Sequence, residues 1–150
     1  MQSPIELDWV RKYTGIPYLD SGGDGVVATD CWRLLRRVVL ERWGIEVPLF
    51  GDITYTGRQD INRVGEFIKA REQDMPDWIK LEHEPPRAGD IVLFRLHGNP
   101  LHVGVLVHTK WVLHVEEGVA SICERIDGTT WKNRIWARYR HSSLLHNHHC

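Results

Sequence analysis

Between Ile91 and Arg140 the chain runs through five short apolar segments with little but turns between them. They are IVLFRL (91–96), HVGVLVH (102–108), WVLHVEE (111–117), VASICERI (119–126) and RIWARYR (134–140). Segments of this length, rich in β-branched and aromatic residues, read as strands. Strands joined by short turns pair antiparallel, because a parallel pair needs a long crossover. The first half reads differently. SPIELDWVRKY (3–13) predicts a short helix with Ser3 as cap and Pro4 in its first turn. TDCWRLLRRVVLERWG (29–44) predicts an amphipathic helix ended by Gly44, and RQDINRVGEFIKAREQ (58–73) a third. Helices followed by a run of strands imply an α+β domain: helices packed on an antiparallel sheet of about five strands. One domain is expected over 1–140, with 141–150 as a flexible tail.

With 150 residues, 42% hydrophobic and 26% charged, the chain suits one soluble domain. A net charge of -1 leaves no footprint for nucleic acid, and its basic clusters read as solvated faces. No apolar run is long enough to cross a bilayer. The start, MQSPIELDWVRKY, lacks the basic head and apolar run of a signal peptide, so synthesis in a cytoplasm without export by that route is expected. Three cysteines without close spacing argue against a disulfide framework.

Cys31 stands where the second helix begins. Unpaired N–H groups and the helix dipole favour a thiolate there, and Asp30 or Thr29 can cap the turn. The segment alone also allows a small apolar residue packed on the helix face. A nucleophilic thiol needs a base within hydrogen-bond reach. Among nine histidines, His102 opens a strand on which it shares a face with Gly104 and Leu106. The missing side chain at Gly104 allows another element to approach, and the helix carrying Cys31 is expected there. His114 on the next strand can orient His102 only from the same face. A two-residue turn at Thr109–Lys110 would put it on the wrong face; a three-residue turn over His108–Lys110 would set it opposite Gly104, so a bulged connection is expected. Two structural histidines, or a zinc site, are the other readings, although no acid or cysteine falls at a familiar metal spacing.

The ordered set of motifs is more specific than any one of them. GIPY, then GG, precedes DC at a helix start; GIEVPLF follows that helix; PRAGDIVLF introduces the sheet; HVGVLV and VLHV supply two histidines. This order, spanning about 5–140, resembles the NlpC-type cysteine endopeptidases of bacterial cell walls. DCW, GIEVP and TTWKNRIWARYR look most like the branch found in phage tail-assembly proteins. The resemblance implies a papain-like fold and a Cys31–His102–His114 triad with no cofactor and no metal. It implies Tyr18 in the substrate cleft, Asp30 on the free amine of a peptidoglycan stem peptide, and cleavage between D-glutamate and a diamino acid. Expected partners are peptidoglycan and tail proteins, with the protein in the virion tail and acting at the cell wall. Trp32 and Arg33 replace the family's serine and glycine, which bears on substrate identity. A structural tail module with an unused site, and an acyl- or amide-transfer enzyme on the same scaffold, are the competing readings.

Overall fold

The computed structural model describes residues 4–19, 31–47, 75–96, 99–116, 118–128 and 131–147. The helix expected over 58–73 and the cap residue Asp30 lie outside them. Pro4–Tyr13 is helical as expected, with 3-10 geometry, and α1 spans Cys31–Trp43. Gly44 closes α1 with φ +70°, a left-handed conformation that glycine adopts without strain. The strands are β1 Trp78–Lys80, β2 Ile91–Leu96, β3 Asn99–His108, β4 Trp111–Glu116, β5 Val119–Arg125 and β6 Ile135–His141. They form one sheet in the order β1-β6-β2-β3-β4-β5, with every pairing antiparallel.

Among the described residues the sheet therefore has six strands rather than about five. The extra one, β1, is three residues long and mostly exposed, in a segment broken by prolines. It carries no periodicity a sequence could show; pairing with β6 makes it a strand. The end of the chain also departs from expectation. Ser142–Asn147 is a 3-10 helix that lays Leu144 against the core, and the Leu144 carbonyl accepts a bond from Arg87 Nη1 at 3.3 Å.

Alternation along the strands divides the apolar residues between two faces. Ile91, Leu93, Val103, Val105, Leu113 and Val115 face α1, whose Cys31, Trp32, Leu34, Leu35, Val38 and Val39 are buried against them. The opposite face carries Val92, Phe94, Leu106 and Val112, covered by Ile126 and Trp131 from the chain between β5 and β6.

A buried ion pair ties the start of β2 to β6. Arg140 donates from Nε to Asp90 Oδ1 at 2.7 Å and from Nη2 to Oδ2 at 2.9 Å. Both groups are out of solvent, and the Arg87 backbone N–H adds a bond to the same carboxylate. The first segment is fastened to β5 by Ser121, which donates to the Tyr13 carbonyl at 2.6 Å and accepts from the Ile16 N–H at 2.9 Å.

Candidate active site

The β3–β4 hairpin decides which residues meet. Val105 pairs with Leu113 and Leu106 with Val112, a register that sets His114 opposite Gly104. The turn itself is the two residues Thr109 and Lys110, closed by His108 against Trp111. The register shifts between Leu106 and His108, so a bulge in β3 supplies the extra residue. The expected irregularity is present, but inside the strand rather than in a longer turn.

His102 and His114 consequently share a face, diagonal to one another. His102 Nε2 and His114 Nδ1 are 2.7 Å apart, a hydrogen bond between two buried rings. Phe94 lies against both imidazoles, with ring centroids at 5.8 and 6.3 Å. Trp131 stacks on His102 at 5.9 Å and meets His114 edge-on at 4.9 Å. This apolar cage disfavours the charged imidazolium. Burial, with the neighbouring His114 second, holds the His102 pKa well below the usual imidazole range. His114 is also lowered by burial, against the opposing pull of Glu124 and Glu116.

Glu124 and Trp131 belong to the site although the sequence reading passed over them. The Glu124 carboxylate oxygen Oε2 stands 3.3 Å from His114 Nε2 and also accepts the Trp131 indole N–H. The register of β4 with β5 explains this: Val112 pairs with Glu124 and His114 with Ile122, so Glu124 shares the histidine face. Glu116 Oε1 lies 4.0 Å from His114 Nδ1. Acids therefore do stand beside the histidine pair: Glu124 is brought there by strand pairing, and Glu116 follows two residues after His114 on β4. Ligand atoms of His102, His114 and Glu116 fall within 4.8 Å of one another. The two ring nitrogens that face each other are at hydrogen-bond distance, and shared ligation of one ion would require the rings to turn.

The expectation for Gly104 is corrected. A Cβ there would meet Val112 Cγ2 at 2.6 Å and His114 Cβ at 3.2 Å. The close approach that glycine permits is by β4 on the histidine face, while α1 packs on the other side of β3.

Cys31 is the first residue of α1 and is 5% exposed, in the cluster that also holds Val103, the strand neighbour of His102. It is thus both at the helix start and against the core, on the face of the sheet that α1 covers; the structure brings His102 and His114 together on the opposite face of β3. Tyr18, in an isolated β-bridge, is half-buried against the same cluster. Asp30 lies outside the described residues.

The model of the family described as NlpC/P60 matches residues 15–140. The chain belongs to that family. Among solved structures it is similar to an NLP/P60 family protein described as similar to lipoprotein, from Staphylococcus aureus subsp. aureus Mu50, with 19% identity and a TM-score of 0.55. That match covers 91% of this chain and 40% of the staphylococcal one, so the present chain spans less than half of that protein. The NlpC/p60 domain of the peptidoglycan hydrolase SagA matches with 16% identity and a TM-score of 0.54, covering 92% of this chain and 97% of that domain. Identities this low establish the shared NlpC/P60 fold. No curated protein sequence matches the chain.

Proposed function

We propose that this NlpC/P60 protein is a cysteine peptidase that hydrolyses peptidoglycan stem peptides through Cys31, His102 and His114. The observation that carries the reading is the buried 2.7 Å bond between His102 Nε2 and His114 Nδ1. It leaves Nδ1 as the ring nitrogen of His102 available to a thiol. Support also comes from the family match, and from a cysteine at the first residue of α1.

In this mechanism the Cys31 thiol gives its proton to His102 Nδ1, and the sulfur attacks the peptide carbonyl. The backbone N–H of Cys31, at the helix start, favours the negative charge that develops on the carbonyl oxygen. The C–N bond breaks, and the leaving amine takes the proton from the imidazolium. A water then loses a proton to His102 Nδ1 and attacks the thioester. The C–S bond breaks, and the thiolate recovers the proton, releasing a carboxylic acid that ionises in water. His114 holds the ring in register throughout.

The finer assignment follows the resemblance. The bond joins D-glutamate to a diamino acid, Asp30 receives the free amine of the stem peptide, and Tyr18 lines the cleft. The likeness of DCW, GIEVP and TTWKNRIWARYR to the phage tail-assembly branch supports a role with phage tails, opening the wall locally during DNA entry or tail assembly. Trp32 is buried in the core. Its bulk, where the family's serine helps form the stem-peptide pocket, supports an altered pocket and keeps amide transfer as the second reading.

The test is digestion of purified peptidoglycan with the wild-type protein and with Cys31→Ser, the products being identified by mass spectrometry. New N-terminal diamino acids in the wild-type digest alone are expected. Products with an amine acceptor attached would favour the transferase. No product from either protein, with peptides or whole wall, would favour the structural tail module.

A further inference from the structure

We propose that Glu124 is a positioning residue that sets the tautomers of both histidines and so leaves His102 Nδ1 unprotonated, ready to accept a proton. The inference rests on the peptidase reading for its consequence in catalysis, but not for its geometry. Glu124 Oε2 is an acceptor, and it stands 3.3 Å from His114 Nε2. A neutral imidazole carries one N–H, and only the Nε2–H tautomer of His114 satisfies that carboxylate. The alternative would aim a ring lone pair at an anion. His114 Nδ1 is then an acceptor, and its partner at 2.7 Å, His102 Nε2, must donate. With its one N–H committed, His102 has a bare Nδ1. The chain of donors runs from His102 through His114 to Glu124, and the carboxylate at its end fixes the sense of every bond.

Trp131 fixes Glu124 in turn. Its indole N–H donates to the same oxygen, Oε2, that faces His114. The indole also touches both imidazole rings, so one side chain holds the acid and walls the base. Among the described residues, the charged and titratable groups around His114 are His102 from β3, Glu116 on its own strand at 4.0 Å from Nδ1, and Glu124 from β5. Glu116 is more distant and lies toward Nδ1, which His102 already occupies. Burial keeps both rings neutral near neutral pH, which is the condition for a tautomer choice to matter. The cluster of His102, His114 and Glu116 is the same site seen as a metal cage, and the hydrogen-bonded ring geometry fits the relay.

The shared oxygen makes the proposal testable with an isostere. In Glu124→Gln the amide oxygen can accept both the His114 and the Trp131 N–H, so the sense of the chain is kept without the charge. Glu124→Ala removes the acceptor. Protein labelled with 15N in its histidines would be studied at neutral pH by two-bond 1H–15N correlation, which reads each ring's tautomer. His102 and His114 are expected as Nε2–H in the wild type and in Glu124→Gln. A mixture of tautomers is expected at both rings in Glu124→Ala. On a stem-peptide substrate, kcat should fall about 10- to 100-fold in Glu124→Ala with KM little changed, and recover to within about threefold in Glu124→Gln. An Nδ1–H ring at either histidine in the wild type, spectra unmoved by Glu124→Ala, or a Glu124→Gln as impaired as Glu124→Ala would each overturn the proposal. Failure of the peptidase reading has a separate signature: no turnover by the wild type and no enhanced reactivity of Cys31, while the spectra still decide the role of Glu124.

Discussion

A cysteine reacts as its thiolate, and what separates a catalytic thiol from an inert one is its surroundings. This chain supplies an internal comparison. Burial, with Glu124 beside it, pushes the Cys123 thiol up to about 11. Cys31, more buried still, differs in sitting at a helix start, where the backbone N–H groups favour negative charge. Iodoacetamide labelling across a pH series, with the adducts located by mass spectrometry, should therefore modify Cys31 well below the pH at which Cys123 reacts. In His102→Ala, which lacks the neutral base that takes the thiol proton, Cys31 should react more slowly near neutral pH. Equal profiles for the two cysteines in the wild type would remove the thiolate–imidazole pair from the mechanism. Turnover should fall at least about a thousandfold in Cys31→Ser, since a hydroxyl without a stronger base is a poor nucleophile. The sequence revealed this much because a helix start and strand alternation are local patterns. Glu124 was not legible, because its meeting with His114 depends on the β4–β5 register, which no spacing in the sequence declares.

Among the elements, the β3–β4 hairpin carries the site, and Gly104 is its narrowest point. The sequence marked Gly104 as a close approach but not by which neighbour; a missing Cβ has no direction until both faces of the sheet are filled. Here the neighbour is β4. In Gly104→Ala the new methyl would overlap Val112 Cγ2, with the Leu113 carbonyl oxygen at 3.2 Å limiting any shift. Overpacking of this kind costs about 1–3 kcal/mol, and the same displacement would move His114 away from His102. Urea denaturation should show the loss of stability, and turnover should fall further than the unfolded fraction explains. Activity that merely tracks that fraction would mean the histidine pair tolerates the shift. A second element-level joint is the Asp90–Arg140 pair between β2 and β6. Asp90→Asn would leave the Arg140 guanidinium, 5% exposed, without its counter-charge. Removing one partner of a buried pair costs about 3–5 kcal/mol, and the midpoint of urea unfolding should drop accordingly. A midpoint within error of the wild type would show that the backbone carbonyl of Pro85, which Arg140 also reaches at 2.8 Å, suffices to hold the charge.

For the molecule as a whole, the histidine pair links stability to pH. The fold keeps His102 and His114 neutral by burial, whereas in an unfolded chain both would titrate near ~6.5. Below that pH the unfolded state binds protons that the folded state refuses, so stability falls as pH falls. Each histidine that stays neutral in the fold contributes a slope of about 1.4 kcal/mol per pH unit. The contribution is fully present above ~6.5 and is lost as pH drops through that value toward the folded-state pKa values. His102 carries the larger share, because Glu124 and Glu116 oppose the effect of burial on His114. Carboxylates act lower on the scale: Asp127, held at about 2 by its bond to Arg125, and Glu41, lowered by Tyr13, lose their contributions only below about pH 4 to 4.5. Among the described groups whose pKa is shifted, the interval between ~6.5 and ~4.5 therefore belongs to the two imidazoles. Unfolding free energies measured across it should decline in the wild type and flatten in a His102→Gln, His114→Gln double variant. Parallel slopes in the two proteins would mean that the pair takes up a proton in the folded state as readily as in the unfolded chain. The relay from Glu124 to His102 would then run through an imidazolium, and the neutral base at His102 Nδ1 would be lost.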